Sequence, residues 1–206
     1  MQKFDALLMA SGGLDSTVMA YWLKKQGKSV LPLFIDYGQH FKEEEFNTLQ
    51  KVIPEEFKKD IRVVRVGDIY INSNSRMINE PDLWNEEVEA DDLYLPYRNL
   101  LFLSIASSLA QTEGIAEVYS AFINSNHAKE IDCSKSFFDQ LGTLLEGYGS
   151  VKVCMPFRDY SKLEVAQLGL ELKVPIAITY SCQASSKFHC GVCPNCVDRI
   201  NALNNL

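Results

Sequence analysis

The feature that most constrains this chain is a turn with two glycines, placed between a strand and a helix near the N-terminus. The apolar run over residues 6–10 is typical of a buried strand in a parallel sheet. Residues 17–27 have the apolar spacing of a helix and end at a glycine. The turn between them reads Ser11-Gly12-Gly13-Leu14-Asp15-Ser16-Thr17. This order indicates a βα unit with an anion site at the start of its helix.

The turn has the chemistry of a phosphate-binding loop. Glycines let main-chain N–H groups turn inward, and the positive end of the helix dipole favours a bound anion. Asp15 adds a carboxylate, which a cation such as Mg²⁺ accommodates by bridging it to the phosphates. The alternative is an ordinary βα turn, in which Gly and Ser are also common. The residues expected to bind the cofactor here are Ala10, Ser11, Gly12, Gly13, Leu14, Asp15, Ser16 and Thr17.

The loop is not of the Walker type, because no Gly-Lys-Ser/Thr follows it. It resembles the PP-loop of the N-type ATP pyrophosphatases, which grips the pyrophosphate end of ATP. The resemblance implies that ATP adenylates an acceptor oxygen and that pyrophosphate leaves. A nucleophile, usually ammonia or a sulfur donor, then displaces AMP.

Composition limits the classes of protein to consider. The 206 residues fit one domain with a substantial core, and 47% hydrophobic and 23% charged residues are ordinary values. A net charge of −7 argues against non-specific nucleic-acid binding, which needs Lys and Arg to neutralise phosphates. No apolar run reaches about 18 residues, and the N-terminus lacks a signal-peptide pattern. We therefore expect a cytoplasmic protein without a membrane span.

Strand-like and helical segments alternate along the chain. The predicted strands cover residues 6–10, 29–35, 61–66, 117–122 and 150–154. The predicted helices cover residues 17–27, 42–52, 98–113, 136–146 and a last segment that opens with a capping box at 161–164 and stops before residue 175. Pro32 predicts an edge or a bulge early in the second strand. Repeated βα units predict an α/β fold, a doubly wound parallel sheet in a single domain over residues 1–206, with ligands beyond the carboxyl ends of its strands.

One segment interrupts this alternation. Residues 67–95 show little apolar periodicity and carry seven acidic residues between Glu80 and Asp92. A loop of this length is typical of a lid or a binding loop that orders with its ligand. A solvated surface excursion is the other interpretation.

Four of the six cysteines crowd near the C-terminus with the spacing Cys-x7-Cys-x2-Cys-x2-Cys. The cluster consists of Cys182, Cys190, Cys193 and Cys196. Four sulfur ligands with no open position favour one structural, tetrahedral Zn²⁺ per chain, which defines a zinc-binding subregion over residues 180–200. An iron–sulfur cluster also uses closely spaced cysteines and is the rival interpretation.

Four stretches, spread over nearly the whole chain, carry a closer resemblance. They are the loop at residues 11–17, Asp36-Tyr37-Gly38-Gln39, Pro96 with Arg98-Asn99-Leu100-Leu101-Phe102, and the C-terminal run from Ser161 through the cysteines to Arg199. Together they resemble the 7-cyano-7-deazaguanine synthases (QueC), a family of N-type ATP pyrophosphatases. The resemblance implies two ATP-driven steps on 7-carboxy-7-deazaguanine. Adenylation and ammonia give the amide, and a second adenylation with loss of AMP gives the nitrile.

The resemblance also implies roles for particular residues, with ATP, Mg²⁺ and Zn²⁺ as cofactors. The residues expected to be catalytic are Ser11, Asp15, Arg98 and Lys162. Asp36 and Gln39 are expected beside the nucleotide, and the residues expected to contact the substrate are Arg98, Asn99 and Asp132. Asp36 has an alternative as a turn residue, and Arg98 as a surface charge at a helix start. QueC relatives are homodimers, for which Trp84, Phe137 and Phe138 offer contacts or serve as core residues.

The chain departs from the family pattern on the acceptor side. His40-Phe41 stand where the family has Arg-His, and Tyr97 stands where it has Gly before Arg98. Of the family's stretch before Cys133, only Asp132 and Cys133 remain. The adenylation machinery is thus intact while the acceptor side is altered.

This asymmetry leaves other functions open. The product could remain an amide, or the activated carboxylate could pass to an amine on a macromolecule such as a partner protein. A sulfur-inserting enzyme acting on tRNA is a further alternative, against which the acidic net charge counts. The last alternative is a module that binds nucleotide without catalysing a reaction.

Overall fold

The computed structural model describes residues 3–123, 134–185 and 187–206. Its sheet has five parallel strands in the order β3-β2-β1-β4-β5. The strands are β1 (Ala6–Met9), β2 (Val30–Asp36), β3 (Arg62–Arg65), β4 (Glu117–Tyr119) and β5 (Lys152–Cys154). The strand order runs outward from β1 in both directions, so the topological switch point lies between β1 and β4. The predicted doubly wound parallel sheet is confirmed.

Helices cover both faces of this sheet. In the described part of the chain they are α1 (Leu14–Lys25), α2 (Lys42–Val52), α3 (Glu55–Lys58), α4 (Arg98–Thr112), α5 (Lys135–Tyr148), α6 (Lys162–Glu171) and α7 (Pro194–Asn204). The sequence did not predict α3, a single turn, or α7, which begins with a proline directly after Cys193. Helix α1 begins three residues before the predicted start at residue 17.

Alternation along the strands sends side chains to two apolar layers. Leu7 and Leu31 pack in the layer that contains Ala106 of α4. Leu8 and Val30 lie in the opposite layer, with buried residues of α1, α6 and α7. Because both faces are covered, the strands read as nearly continuous apolar runs.

The edge predicted at Pro32 is confirmed for the early part of β2, although β2 as a whole lies between β1 and β3. Pro32 pairs in register with Leu8 of β1, without a bulge. The N–H of Ala10 donates to the carbonyl of Leu33 at 2.9 Å, so alternation turns the backbone of Pro32 toward β3. Pairing with β3 begins only at Leu33. The missing N–H therefore faces the side where the neighbouring strand has not yet started.

Residues 67–95 form a covering layer over one face of the sheet. The segment contains two short 3₁₀ turns, Gly67–Ile69 and Asp91–Leu93. Met77 and Leu95 are each 1% exposed and belong to the apolar layer beneath α4. The interpretation as a solvated excursion is therefore wrong for the apolar part of the segment.

The last βα connection sets the position of helix α6. The predicted capping box is present, because the Ser161 hydroxyl accepts from the Glu164 N–H and the Glu164 carboxylate accepts from the Ser161 N–H. A Cβ on Gly169 would lie 2.9 Å from side-chain atoms of both Val18 and Ile176, so the glycine allows α6 to pack closely on α1. Lys162, at the start of α6, is thereby brought next to the start of α1.

None of the helices in the described ranges combines the length and the apolar character needed to cross a membrane.

Candidate active site

A cavity opens at the carboxyl ends of β1, β2 and β4, where the switch point lies. The described residues that line it include Ala10, Ser11, Gly13, Leu14, Asp15, Ser16, Gln39, Glu45, Arg98, Asn99 and Lys162. Strand β4 is shorter than predicted, and the residues after it, Ser120, Ala121 and Phe122, line the cavity instead of extending the sheet. The cavity has one wall of main chain and hydroxyl groups and another of longer side chains.

The first wall, which we call the loop wall, consists of residues 10–17. Gly12 has φ +80°, and a Cβ there would lie 2.7 Å from the backbone nitrogen of Leu49 and 2.8 Å from the backbone oxygen of Glu45. No other residue type fits, because both contacts are with main chain. The Tyr180 N–H donates to the Gly12 carbonyl at 3.1 Å, so the C-terminal part of the chain fixes this turn.

Hydroxyl groups hold the rest of the loop wall. The hydroxyls of Ser16 and Thr17 both donate to the Gly13 carbonyl, at 3.2 and 2.7 Å. The Ser11 hydroxyl accepts from the Gly13 N–H at 3.2 Å. Thr17 is 2% exposed, so it supports the loop from behind, whereas Ser11 and Ser16 reach the cavity.

An ion pair joins α1 to α6 at the edge of the loop wall. The Lys162 ammonium donates to Asp15 Oδ2 at 2.6 Å. The other oxygen, Oδ1, is buried and has no hydrogen-bond partner within the described residues. A buried carboxylate oxygen without a donor fits a hard cation, so Asp15 meets the requirement for holding Mg²⁺.

A second group of lining residues, which we call the side-chain wall, is built around Arg98. This residue begins α4, and its guanidinium lies beside the buried Tyr37 side chain and contacts Met77 of the covering segment. Asn99 is 3% exposed and also lines the cavity. The structure thus places Arg98 inside the cavity and not on the outer surface.

Gln39 and Asp36 have mainly structural contacts. The buried Gln39 side chain accepts from the Tyr37 N–H at 2.9 Å and donates to the carbonyl of Ile35 at 3.3 Å. Asp36 Oδ1 accepts from the Gly38 N–H at 3.1 Å, which is the geometry of a turn residue. Gln39 still lines the cavity, whereas Asp36 is not among the lining residues that the structure describes.

Sequence reasoning missed Glu45, in α2. Its Oε2 accepts from the Gln39 amide at 3.0 Å, and burial raises the pKa of its carboxyl group to about 7. In the sequence it appears as the third acid of a charged helix start, a common surface pattern. The usable signal was helical spacing, because Glu45 stands four residues before the buried Leu49 and shares its face.

The four cysteines converge as predicted. Their sulfur atoms all lie within 4.8 Å of one another, and the Cys190 and Cys196 sulfurs are 3.9 Å apart. Tetrahedral Zn–S bonds of about 2.3 Å require sulfur separations of roughly 3.8 Å, so the donor set and its spacing fit zinc. Buried Arg199 of α7 donates to Thr179 and to the carbonyl of Ile176, which ties the cluster to the segment that reaches Gly12.

Comparison with known proteins fixes the family. The model of the family described as "Queuosine biosynthesis protein QueC" matches residues 5–206. A 7-cyano-7-deazaguanine synthase from Campylobacter jejuni subsp. doylei is 32% identical over 95% of this chain and 91% of its own length. One from Clostridium kluyveri is 32% identical over 96% of this chain and 92% of its own.

The chain belongs to the QueC family. Among solved structures, a 4-thiouridine synthetase–RNA complex with bound ATP shares the fold, with a TM-score of 0.55 and 18% identity. That likeness covers 97% of this chain and 53% of the other.

Two departures from the QueC pattern take a definite form in the structure. The His40 side chain is 8% exposed and lies 3.3 Å from the Gln183 carbonyl, and Phe41 is 1% exposed in the core. Burial lowers the pKa of His40, which favours the neutral ring. Tyr97 has φ +56°, a left-handed conformation that favours glycine, and is 71% exposed.

The expected substrate residue Asp132, and the altered stretch that ends at Cys133, lie outside the described residues.

Proposed function

We propose that this QueC protein is an AMP-forming ligase that adenylates the carboxylate of 7-carboxy-7-deazaguanine and couples it to ammonia. The product is the amide and, after a second adenylation, 7-cyano-7-deazaguanine. The observation that carries this proposal is the cavity at the switch point, which the glycine loop and Arg98 line together. Family membership supplies the substrate class.

The loop wall is suited to the pyrophosphate end of ATP. Its main-chain N–H groups and the hydroxyls of Ser11 and Ser16 would donate to phosphate oxygens, and the start of α1 favours negative charge there. Bound at Asp15, Mg²⁺ would neutralise charge on the leaving pyrophosphate. Lys162, which pairs with Asp15 at 2.6 Å, adds a second positive charge at the same place.

The side-chain wall is suited to the acceptor. An arginine fork binds a carboxylate through two parallel hydrogen bonds, which makes Arg98 the proposed partner of the substrate acid. The buried Tyr37 side chain lies beside the guanidinium. Asn99, at the next position of α4, is proposed to hydrogen-bond the substrate through its side-chain amide. Adenylation converts the carboxylate oxygen into a better leaving group, and AMP departs when the nucleophile attacks.

The cysteine cluster is proposed to hold one structural Zn²⁺. The four sulfurs leave no position for a substrate, so the metal would act on folding and on the placement of Tyr180.

A cytoplasmic location and a homodimer remain predictions. Trp84 is 96% exposed and available for a dimer contact, whereas Phe138 is 5% exposed and belongs to the core. Native mass spectrometry measures the oligomeric state.

A second candidate keeps the adenylation and changes the endpoint. The product would remain an amide, or the activated acid would pass to an amine on a protein. The His40 side chain, 8% exposed beside the Gln183 carbonyl, and the buried Phe41 ring are not among the described residues that line the cavity, so they do not supply the donors that the family's Arg-His pair would. This observation favours an acceptor reaction that differs from that of typical QueC enzymes.

The deciding experiment incubates the zinc-loaded protein with Mg²⁺-ATP, ammonium and 7-carboxy-7-deazaguanine. We expect acid-dependent release of AMP and pyrophosphate and a product with the mass of the nitrile. Asp15→Asn, which keeps the shape of the side chain, should lower the rate at least a hundredfold in a protein that remains folded. An amide that accumulates supports the second candidate, and absence of acid-dependent pyrophosphate release contradicts both.

A further inference from the structure

The side-chain wall contains a carboxylate that the proposed reaction has not yet used. Glu45 lines the cavity, and its Oε2 accepts a hydrogen bond from Gln39 Nε2 at 3.0 Å. Its other oxygen, Oε1, has no hydrogen-bond partner within the residues that the structure describes. A carboxylate oxygen that is open toward a cavity is a place for a cationic ligand.

The orientation of this carboxylate is fixed by its surroundings. Gln39 is 1% exposed and is itself held by the Tyr37 N–H and the Ile35 carbonyl, so its amide points at Glu45 in one direction. The backbone of Glu45 is fixed as well, because its carbonyl lies directly behind Gly12 of the loop wall. Glu45 therefore belongs to the scaffold of the site and not to a mobile surface.

The groups that face Glu45 come from three elements. Arg98 of α4 is the cation, and Tyr37, after β2, and Tyr180, after α6, are phenols. Burial raises the pKa of both phenols, so they remain neutral at physiological pH. Arg98 is assigned to the substrate acid in the proposed function. The carbon that is to be attacked would then lie on the same wall as Glu45.

We propose that Glu45 is the binding site and proton acceptor for the ammonium ion that supplies the nitrogen. This inference rests on the proposed function and adds the residue that generates the nucleophile. At neutral pH ammonia is present almost entirely as ammonium, which cannot attack a carbonyl carbon until it has lost a proton. A carboxylate in a cavity attracts the cation and takes that proton.

The step balances as follows. One N–H bond of ammonium breaks and the proton moves to Glu45 Oε1, which leaves neutral ammonia with a lone pair. That pair forms the C–N bond with the adenylated carbonyl carbon, and the C–O bond to AMP breaks with its electrons on the AMP oxygen. The attacking nitrogen then loses one further proton to solvent, and Glu45 returns its own proton to solvent. The products are the amide, AMP and protons.

The protonation behaviour of Glu45 agrees with this role. Burial raises the pKa of the carboxyl group to about 7, against the smaller lowering effects of Gln39 and Arg98. A general base is most effective when its pKa lies near the working pH. An exposed glutamate, with a pKa near 4.3, would be a much weaker base toward ammonium.

The experiment compares ammonium with hydroxylamine, which is largely neutral at neutral pH and needs no proton removal before it attacks. Glu45→Gln keeps the size of the side chain and an oxygen for the Gln39 bond. Glu43→Gln is the matched control, because Glu43 is an exposed acid in the same helical turn. For each protein, exchange of labelled pyrophosphate into ATP measures adenylation without a nucleophile. Product formation with each nucleophile is measured from pH 6 to 9.

We expect Glu45→Gln to retain exchange and hydroxamate formation and to lose at least tenfold in kcat/KM for ammonium at pH 7. Its rate with ammonium should rise about tenfold per pH unit with free ammonia, whereas the wild-type rate should level off above pH 7. Glu43→Gln should match the wild type. Equal losses with both nucleophiles would overturn the proposal, because they indicate a positioning role.

A raised KM for the deazaguanine acid, with normal dependence on ammonium, would also overturn the proposal, since Glu45 would then recognise the acid. If Glu45→Gln loses pyrophosphate exchange while the wild type and Glu43→Gln keep it, Glu45 acts in adenylation and not on ammonium. That result would overturn the proposal as well. Absence of acid-dependent exchange in the wild type would remove the proposed function, and the assignment of Glu45 would fall with it. These outcomes separate the two failures.

Discussion

The two walls of the cavity are built from different materials. The loop wall holds its shape through main-chain geometry and short hydroxyl contacts, such as the 2.7 Å bond from Thr17 to the Gly13 carbonyl. The side-chain wall depends on long polar groups, Arg98, Gln39 and Glu45, held by one another and by the covering segment. Main chain suits phosphates, which every ATP reaction shares, whereas side chains suit the acceptor, which differs between reactions. The difference shows where this chain can change its chemistry without losing the use of ATP.

The largest expected effect removes the common support of both walls. Cys190→Ser takes one ligand from a site whose metal binding contributes on the order of 10 kcal/mol to folding. We expect little or no bound zinc, low solubility and loss of the Tyr180 contact with Gly12. Metal analysis and thermal denaturation measure this. Cys154→Ser is the control, because Cys154 is a half-buried free cysteine that is not one of the four clustered cysteines. A stable, metal-free Cys190→Ser protein would contradict the prediction.

The next test breaks the loop wall alone. Gly12→Ala places a Cβ 2.7 Å from a backbone atom at φ +80°, so the turn must move. We expect a loss of about 2–4 kcal/mol in the free energy of unfolding and a loss of pyrophosphate exchange. Gly27→Ala is the control, because Gly27 has φ +75° but nothing within 4 Å of its Cβ position. The control isolates the backbone strain, about 1 kcal/mol, and should leave exchange unchanged.

The side-chain wall should be sensitive to pH. Because the folded protein raises the pKa of Glu45 to about 7, the carboxylate form destabilises the fold. The penalty is absent below the unfolded pKa, near 4.3, and is complete above pH 7. Glu45→Gln should therefore be more stable than the wild type by about 1–3 kcal/mol at pH 8, with the difference vanishing near pH 4. Urea denaturation across this range measures it, and a difference that grows toward acid pH has the wrong sign.

The smallest expected effect concerns the residue before Arg98. Tyr97→Gly relieves a left-handed backbone at φ +56° and should raise the free energy of unfolding by about 1 kcal/mol. Lys173→Gly, at φ +59° after α6, is the matched control and should give a similar gain. Chemical denaturation reports both. Lower stability of Tyr97→Gly would show that the exposed ring makes a stabilising contact that outweighs its strain.

The loop wall was predicted well because residues that are adjacent in the sequence determine its conformation. Two glycines between an apolar strand and a helix determine a βα turn, and the structure shows that turn around Gly12 and Gly13. The predicted α2 agrees with the structure at both ends, and the cysteine spacing predicted a convergent cluster. The local edge at Pro32 was predicted as well, whereas the central position of β2 depends on distant pairing that no single segment contains.

The side-chain wall was only partly predictable for the same reason. Arg98 was found through a family motif, but its contacts with Tyr37 and Met77 join three distant parts of the chain. Glu45 lies in a run of acids whose local pattern favours the surface, and only the tertiary structure places it beside Gln39 at the cavity. The covering segment 67–95 has no regular period because irregular turns place its buried residues.

The hydrogen bond from Tyr180 to Gly12 joins the first turn of the chain to a residue near its far end. During synthesis the glycine turn leaves the ribosome early, whereas its partner and the cysteines emerge much later. We therefore expect a growing chain to gain affinity for nucleotide only after the metal cluster has formed. Fragments truncated before the cluster would then remain unable to consume ATP, which couples the onset of activity to metal supply.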